Sequence, residues 1–554
     1  MSSIITSILS STVGLLWNGA RDLTAAKLKD GDVTDTKIRE IFVSESNDIK
    51  TKLDGLSRKD LLSSYDFLQE GVHLLNVSLD KSKLEQKAET TAGRSSVIQS
   101  EILREAVELS QAIRELKINA DKEFESALER FKDARKAATH AFRIESLHIE
   151  ERIVAAKLRV VSELLECLES PETAIPGCLS LLKKLHALPA VQGMFNVYLN
   201  GGIKSMWNKD QRAENVKSVM MINYVVFKYV FKFSRKYTSV HAWSTIELAD
   251  RSFNPILKWR EVSTRESMGD ELTQPPNKLI LNTINIIRPH RSAVNSHGNV
   301  FVNSHGDDSG SIMLINKKGK SKVVNLPSHG GNVVAQFIDA LAVDNDDNVY
   351  VVRYLRTRTE NDDVDSYVLD VLDENYNVKQ DSRRLEFLKA TYYVEIAINK
   401  NNDIIMTTYD DPQVGLYICD KTGKLKHKFE RRHYRQYYRS LGISGQDEIM
   451  ISSEKNRAVE IYSVEGNLKS TIKLPEGHEV RGLVFHYVIC KIIILTMSVE
   501  RKYFLLCYTE AGELHETTAF VIDKEDYDAF GSPSIKSHPS GPVAVVEKRS
   551  ITFI

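Results

Sequence analysis

The chain lacks paired cysteines. Its five, Cys167, Cys178, Cys419, Cys490 and Cys507, are scattered over 554 residues, and no C-x-x-C pair occurs. A tetrahedral zinc site of the RING or B-box kind is built from such pairs, so those modules are excluded. An odd, sparse set points to reduced thiols in a cytoplasmic protein rather than to a disulfide framework. Charge of one sign is lacking too. Basic side chains number 74 and acidic ones 75, a formal net charge of −1. No global electrostatic bias therefore draws the chain to nucleic acid or an anionic membrane. Long apolar runs are also missing. The most apolar stretch, VMMINYVVFKYVFKF (219–233), is interrupted by Asn223, Lys228 and Lys232. It falls short of the roughly 20 residues needed to cross a bilayer and reads as a buried core helix. Residues 1–20 carry no charged side chain and no basic n-region of a signal peptide. Their apolar residues Ile5, Leu9, Val13, Leu16 and Ala20 approach helical spacing. A core-facing helix is the expectation. Membrane contact by this helix, with 219–233 inserting as well, is the alternative.

What is present is enough apolar residue for a folded protein, 42% hydrophobic and 8% aromatic. The length exceeds one ordinary core, so two or more domains are expected. Residues 94–170 contain neither Gly nor Pro, the strongest helix breakers, and read as helix. Apolar positions recur at alternating steps of three and four through Ile102, Ala106, Leu109, Ile113, Leu116 and Ala120. They resume at Phe124, Ala127, Phe131, Ala134, Ala138 and Ala141, and again at Ile149, Ile153, Ala156 and Val160. This is the seam of a coiled coil or a long-helix bundle. Further helices are predicted over 35–53, from Ser57 to about Leu75, over 178–188 and over 190–199, with Pro171, Pro176-Gly177 and Gly201-Gly202 as breaks. Residues 1–250 thus read as an all-α domain without a catalytic signature.

Past Asp250 the pattern changes. Residues 251–278, with Pro275-Pro276, read as a linker. From 279 to 554, β-branched and aromatic runs alternate with Gly, Asn and Asp turns. Six stretches align: AVNSHGNVFV from Ala293, AVDNDDNVYV from Ala342, AINKNNDIIM from Ala397, GISGQDEIMI from Gly442, FHYVICKIII from Phe485 and SHPSGPVAVV from Ser537. Each runs from a small or apolar start through a polar turn into an apolar strand. The first five are followed by a second hairpin, turning at Gly319, Asn377, Gly423, Gly466 and Gly512. A period of 43 to 55 residues with four strands per unit is the signature of a β-propeller. The sixth unit lacks its outer strand. A propeller must pair its ends or leave an open edge, so residues 279–287 are expected to close the ring against 551–554. The fold class is therefore α + all-β multidomain: a helical bundle or coiled coil followed by a six-bladed β-propeller.

The stretch ALAVDNDDNVYVV (340–352) resembles the start of a calcium loop in its carboxylate spacing. The Gly and the distant bidentate Glu of an EF-hand are missing, and sister repeats carry Asn, Lys, Ser and His at these positions. A turn common to all repeats is the reading. No metal and no cofactor is expected.

These repeats resemble six-bladed propellers of the NHL and TolB-like kind, most clearly at 341–352 with 368–377 and at 416–423. In tripartite-motif NHL proteins a RING, a B-box and a coiled coil come first. Here no zinc ligands precede the propeller, so ubiquitin-ligase activity is not implied. The whole chain also resembles a family of stony-coral (cnidarian) proteins with an N-terminal helical domain and a C-terminal propeller. The stretches LLWNGARDLTAAKLKDGDVTDTKIRE, LDGLSRKDLLSSYDFL, CLESPETAIPGCLS and FHYVICKIIILT carry that resemblance, which implies no activity.

Two function classes follow. The first is a non-enzymatic recognition protein, with the propeller as binding platform and the helices driving self-association or signalling. The basic-aromatic segment KHKFERRHYRQYYR supplies candidate partner or anion contacts: Lys426, Lys428, Arg431, Arg432, Tyr434, Arg435, Tyr437 and Arg439. As an inter-blade connection it would reach one face of the ring; a plain surface loop is the alternative. The charged insert 356–367 would widen one face. The second class is a metal-dependent lactonase-like hydrolase, which needs inward carboxylates on several blades. No repeated inward acid and no Gly-x-Ser-x-Gly elbow is found. The expectation is that the chain is not an enzyme and that its partner is a protein; nucleic acid at the basic loop, and a membrane-inserting helical effector with the propeller as sensor, are the weaker alternatives.

Overall fold

The structure is a computed structural model. It describes residues 59–89, 122–201, 208–234, 238–263, 275–281, 284–303, 310–317, 319–329, 332–359, 362–388, 394–410, 413–432, 438–453, 457–522 and 532–554. The expected helices over 1–20 and 35–53 and the first part of the seam, 94–121, lie outside these residues. The chain forms two compact units. One lies within Met1–Arg235 and Trp243–Pro276, the other comprises Lys236–Ala242 and Asn277–Ile554.

The first unit is helical: α1 (Lys59–Glu89), α2 (Lys122–Arg143), α3 (Ile149–Glu166), α4 (Ile175–His186), α5 (Pro189–Asn200), α6 (Lys209–Phe233) and the short α7 (Trp259–Ser263). Between α6 and α7 lies a two-strand hairpin, β1 (Ile246–Glu247) and β2 (Ser252–Phe253). The seam residues Phe124, Ala127, Phe131, Ala134, Ala138 and Ala141 are all buried, and α1 packs along this face. Small Ala side chains let the helices approach, and Ser64 on α1 donates to the Ala134 carbonyl at 2.8 Å. The helix expected to run unbroken to Ser170 stops at Arg143 and restarts at Ile149. The restart is closed by Glu151, whose side chain accepts from the His148 amide at 2.9 Å. The change of apolar phase between Ala141 and Ile149 marks this break. The apolar helix α6 is a core helix: Val219, Met220, Ile222, Val226, Phe227 and Val230 are buried. Among the described residues no helix is long and apolar enough to cross a membrane. Polar Ser218 and Asn223 are buried with it. Asn223 bonds His186 Nε2 at 3.0 Å and accepts from Trp243 Nε1 at 2.9 Å. Burial holds His186 neutral, lowering it to about 4.

The second unit is a ring of six four-stranded antiparallel blades. The first blade holds β4 (Ser292–Val294), β5 (Val300–Asn303), β6 (Ser311–Ile315) and β7 (Ser321–Asn325); the second β8 (Val333–Val343), β9 (Val349–Arg358), β10 (Asp363–Leu372) and β11 (Val378–Arg384). The third holds β12 (Val394–Ile398), β13 (Ile404–Asp410), β14 (Gln413–Cys419) and β15 (Leu425–Arg432); the fourth β16 (Tyr438–Ile443), β17 (Ile449–Ser453), β18 (Ala458–Tyr462) and β19 (Leu468–Lys473). The fifth holds β20 (His478–His486), β21 (Lys491–Ser498), β22 (Tyr503–Tyr508) and β23 (Leu514–Phe520); the sixth β24 (Ser534–Ser537), β25 (Val543–Val546) and β26 (Ser550–Phe553). The sixth blade takes its outer strand from β3 (Lys278–Ile280), with Leu279 opposite Ile551. Closure is thus by the expected segment but shorter than 279–287, with Ile286 adding one amide bond to the Lys548 carbonyl at 2.7 Å. The buried Lys278–Glu547 ion pair, 3.4 Å, lies beside this joint. The first strands β4, β8, β12, β16, β20 and β24 neighbour one another in that order and close a ring around a channel.

The core lies between blades. Leu341 and Val343 pack with Phe301 and Leu314 of the preceding blade, while Ala340 and Ala342 meet Ile396 and Ile398 of the next. Each such Leu, Ile or Phe contributes about 2 kcal/mol of burial. A strap from outside the ring is fastened to the fifth blade. Ser239 lies 2.9 Å from His486 Nε2, and the His241 ring meets the His486 ring edge-on.

The outer turn of the second blade corrects one expectation. The left-handed residue there is Tyr376 (φ 70°), not Asn377; it stands where the other blades carry Gly319, Gly423, Gly466 and Gly512. Asn377 instead gives its amide to the Asp373 side chain at 2.8 Å.

Candidate functional site

Antiparallel strands alternate in direction. The turns joining first to second and third to fourth strands therefore emerge at one end of the ring. The second-to-third hairpins and the inter-blade connections emerge at the other. The two ends are built differently.

At the turn end, Asp344 answers the calcium question. Its Oδ1 accepts the amides of Asp346 and Asn348, both at 2.9 Å, and its Oδ2 accepts from Asn348 Nδ2 at 2.8 Å and Tyr350 Oη at 3.1 Å. Both carboxylate oxygens are committed to the turn. Asn295, Asn399 and Ser444 cap the same two amides in their own blades. Among the described residues no cluster that could hold a metal occurs. The turns are also tied to each other. Asp347 accepts the Ser296 amide at 2.8 Å, Asp447 accepts the Lys400 amide at 3.1 Å, and Asn345 donates to the Lys400 carbonyl at 3.3 Å. His538 joins the sixth blade to the second: Nδ1 accepts the Ser540 amide, so the proton is on Nε2, 2.8 Å from the Asp344 carbonyl. Burial keeps this imidazole neutral.

Toward the connection end the inner strands carry charge. Two residues before the turn they bear Ala293, Ala342, Ala397, Gly442 and Val484, but Lys536 in the sixth blade. Two residues earlier they bear Ala340, Ser440, Gly482 and Ser534, but Arg291 in the first and Glu395 in the third. Small residues are needed because the strands crowd: a Cβ on Gly442 would meet Leu483 at 2.8 Å and one on Gly482 would meet Ile535 at 2.7 Å. Arg291 is committed, pairing with Asp339 at 2.6 Å and donating to the Ile338 carbonyl at 2.6 Å. Glu395 and Lys536 are not. They stand on the third and sixth blades, opposite each other in the ring, and both are partly exposed. They lie within electrostatic reach, yet among the described residues they form no ion pair and no acceptor bonds the Lys536 ammonium. Burial pushes Glu395 up to about 7, against the opposing pull of Lys536 and a hydrogen bond from the Leu441 amide. Burial lowers Lys536, which Glu395 resists. His290, beside Lys536, is driven down to about 3 by burial and then by Arg291, Lys536 and Arg288. The site therefore offers an ammonium, a neutral imidazole and a carboxyl group that exchanges its proton near neutral pH. Such groups grip charged ligands and move protons.

The basic segment does not enter this channel as one group. Lys426 and Lys428 lie on β15, the outermost strand of the third blade. Lys426 pairs with Asp403 at 2.5 Å and Lys428 stands over the Tyr417 ring. Arg431 and Arg432 continue that outer strand, while Arg439 is on the inner strand β16, at a slip in its register with β17. Tyr434, Arg435 and Tyr437 lie outside the described residues. The insert 356–367 is a hairpin extension of β9 and β10, held by Arg356–Asp365 at 2.9 Å and Arg358–Asp363 at 3.3 Å. Sequence reasoning missed Glu395 and Lys536. The signal that finds them is register: counted back from each turn, they replace small residues of sister strands.

No family model and no curated protein matches the chain. Solved structures do. A catalytically inactive virginiamycin B lyase from Staphylococcus aureus is 18% identical, with a TM-score of 0.32 over 49% of this chain and 80% of that one. A streptogramin B lyase is 12% identical, with a TM-score of 0.33 over 50% and 96%. An aldose sugar dehydrogenase from Streptomyces coelicolor in its PQQ-bound form is 10% identical, with a TM-score of 0.33 over 50% and 97%. The expectation that the chain is not an enzyme is corrected to this extent: these solved propellers are enzymes, and at such identities the likeness shows the fold alone.

Proposed function

We propose that the propeller is a recognition module that takes a small polar ligand into its channel from the connection end and holds it between Lys536 and Glu395. One observation carries this reading: opposed blades present an ammonium and a carboxyl group that are near each other and form no ion pair among the described residues, at inner-strand positions where most sister strands carry small side chains. A charge left unpaired in a confined site is costly, and a ligand that pairs it recovers that cost. Binding is the first step of recognition and of turnover alike. On this reading the helical unit serves self-association or signalling. The outer strand with Lys426, Lys428, Arg431 and Arg432 is a separate surface for a protein partner, and five free cysteines suit a cytoplasmic setting.

The test is NMR of the full chain with its lysines reductively methylated by 13C-formaldehyde, the Lys536 signal being assigned by its loss in K536R. That signal is expected to titrate below those of surface lysines such as Lys502, and to move on addition of acetate, methylammonium or glycine. The reading fails if Lys536 escapes methylation while Lys502 reacts, or if none of these compounds moves its signal.

A further inference from the structure

We infer that the channel selects a zwitterion, a ligand carrying an anionic and a cationic group at a fixed separation, with the anion on Lys536 and the cation on Glu395. This rests on the channel being a ligand site and adds the chemical class of the ligand.

The argument starts from the ring. Glu395 is on β12 and Lys536 on β24, three blades apart in either direction, so the two groups approach the channel from opposite sides. Their inner strands are anchored in four-stranded sheets, opposite Thr407 and Ala544 respectively. The gap between the charged ends is therefore set by the diameter of the ring and not by a flexible loop. An ion of one sign would satisfy one end and leave the other facing it unpaired. A ligand with both signs satisfies both.

The surroundings fit two unlike ends. Beside Lys536 stands His290, whose neutral ring has one N–H to give an anion, with Arg288 and Arg291 further contributing positive potential. Arg291 itself is spent on Asp339, so it adds field rather than a contact. Beside Glu395 stands the Leu441 amide, which bonds the carboxyl. No second carboxylate is arranged there to hold a metal among the described residues. A single carboxyl that forms no ion pair among the described residues suits an ammonium.

Two consequences separate this from a plain anion site. A fixed gap makes affinity depend on ligand length, with an optimum in the series from glycine through β-alanine and 4-aminobutyrate to 6-aminohexanoate. Binding is also linked to proton release. Burial raises Glu395 to about 7, and an ammonium beside it lowers its pKa, so ligand binding at pH 7 releases protons.

The experiment is isothermal titration calorimetry of the full chain with that series, acetate and methylammonium, at constant ionic strength and in two buffers of different ionisation enthalpy. The expected result is one chain length binding at least about tenfold tighter than either single-charge ion, with proton release at pH 7. E395Q is expected to lose that preference while keeping acetate binding. K536M is expected to lose both, and K536R to restore the anion. Circular dichroism confirms that each variant is folded. If acetate binds as well as every amino acid, the channel is an anion site and the zwitterion inference falls alone. The same holds if methylammonium binds as well, or if no amino acid binds while acetate still moves the Lys536 signal. If no compound binds by calorimetry or moves that signal, the ligand-site reading falls with it.

Discussion

The two ends of the propeller use similar residues for opposite purposes. At the turn end, Asp344, Asp347, Asn399 and His538 have their polar atoms occupied by backbone amides, carbonyls and each other. At the connection end, Glu395 accepts the Leu441 amide, and neither it nor Lys536 forms an ion pair among the described residues. Polar side chains in tight loops are therefore poor evidence of a site until their hydrogen bonds are followed. The Asp-rich loop, which looks most like a ligand site in the sequence, is the saturated one. The plain-looking strands VEIAI and SIKS carry the unsaturated pair.

Four experiments would break or sharpen that contrast. The largest effect is expected for R291M. It leaves the buried Asp339 carboxylate without its cation, so a loss of about 3–5 kcal/mol is expected in denaturant titration followed by circular dichroism. A loss below about 1 kcal/mol would mean that this part of the ring is wet. Next is D344A, which strips four donors of their acceptor in one turn and is expected to cost about 2 kcal/mol with no effect on ligand binding. An effect on binding would place the ligand at the turn end. Third, G466A is expected to destabilise more than G512A. Both positions are left-handed, at a cost of about 1–2 kcal/mol for an alanine, but a Cβ at Gly466 meets Phe429 at 2.5 Å while one at Gly512 finds Ile472 at 3.4 Å. Equal losses would show that the third blade yields at its outer edge.

The smallest effect is a pH dependence. Glu395 is raised in the folded protein to about 7, so the folded state binds its proton more tightly than the unfolded chain. Stability from this group is full below its ordinary pKa and is lost as pH rises through about 7. E395Q is therefore expected to match the wild type at pH 4 and to exceed it at pH 8, by roughly 1 kcal/mol after allowing for solvent in the channel. A variant that is no more stable at pH 8 would show that the carboxyl is already solvated or paired.

The propeller was legible because its repeats state their turns twice per blade, once through an Asx or Ser cap and once through a left-handed residue. Even the eroded turn of the fifth blade keeps one, Cys490 at φ 51°. Closure by β3 was legible because the sixth repeat runs out of strands. The extent of closure was not, since a strand of three paired residues and one of nine, mostly apolar, look alike in a strand-rich sequence. In the helical unit, the steps of three and four identified the buried face of α2. The break at 144–148 has no Gly or Pro to announce it and shows only as a slip in phase. The basic segment begins as an outer strand rather than as an inter-blade connection, for a physical reason. Leu425, His427 and Phe429 alternate with Lys426 and Lys428, and that alternation makes an outer strand before it makes a connection. Inward charge was hidden because a single Glu and a single Lys, on different blades, form no local pattern.

The joint between β3 and β26 carries a kinetic consequence. It pairs residues from the two extremes of the propeller unit, with Leu279 against Ile551. Blades one to five consist of neighbours in sequence and can assemble as hairpins while the ribosome is still working. The ring cannot be sealed until the last strand has left the exit tunnel, and this contact spans the longest loop in the unit. Until then the edges of β3 and β4 are exposed to other chains. The nascent propeller thus passes through a period of open edges, in which exchange of a strand between two copies competes with closure within one.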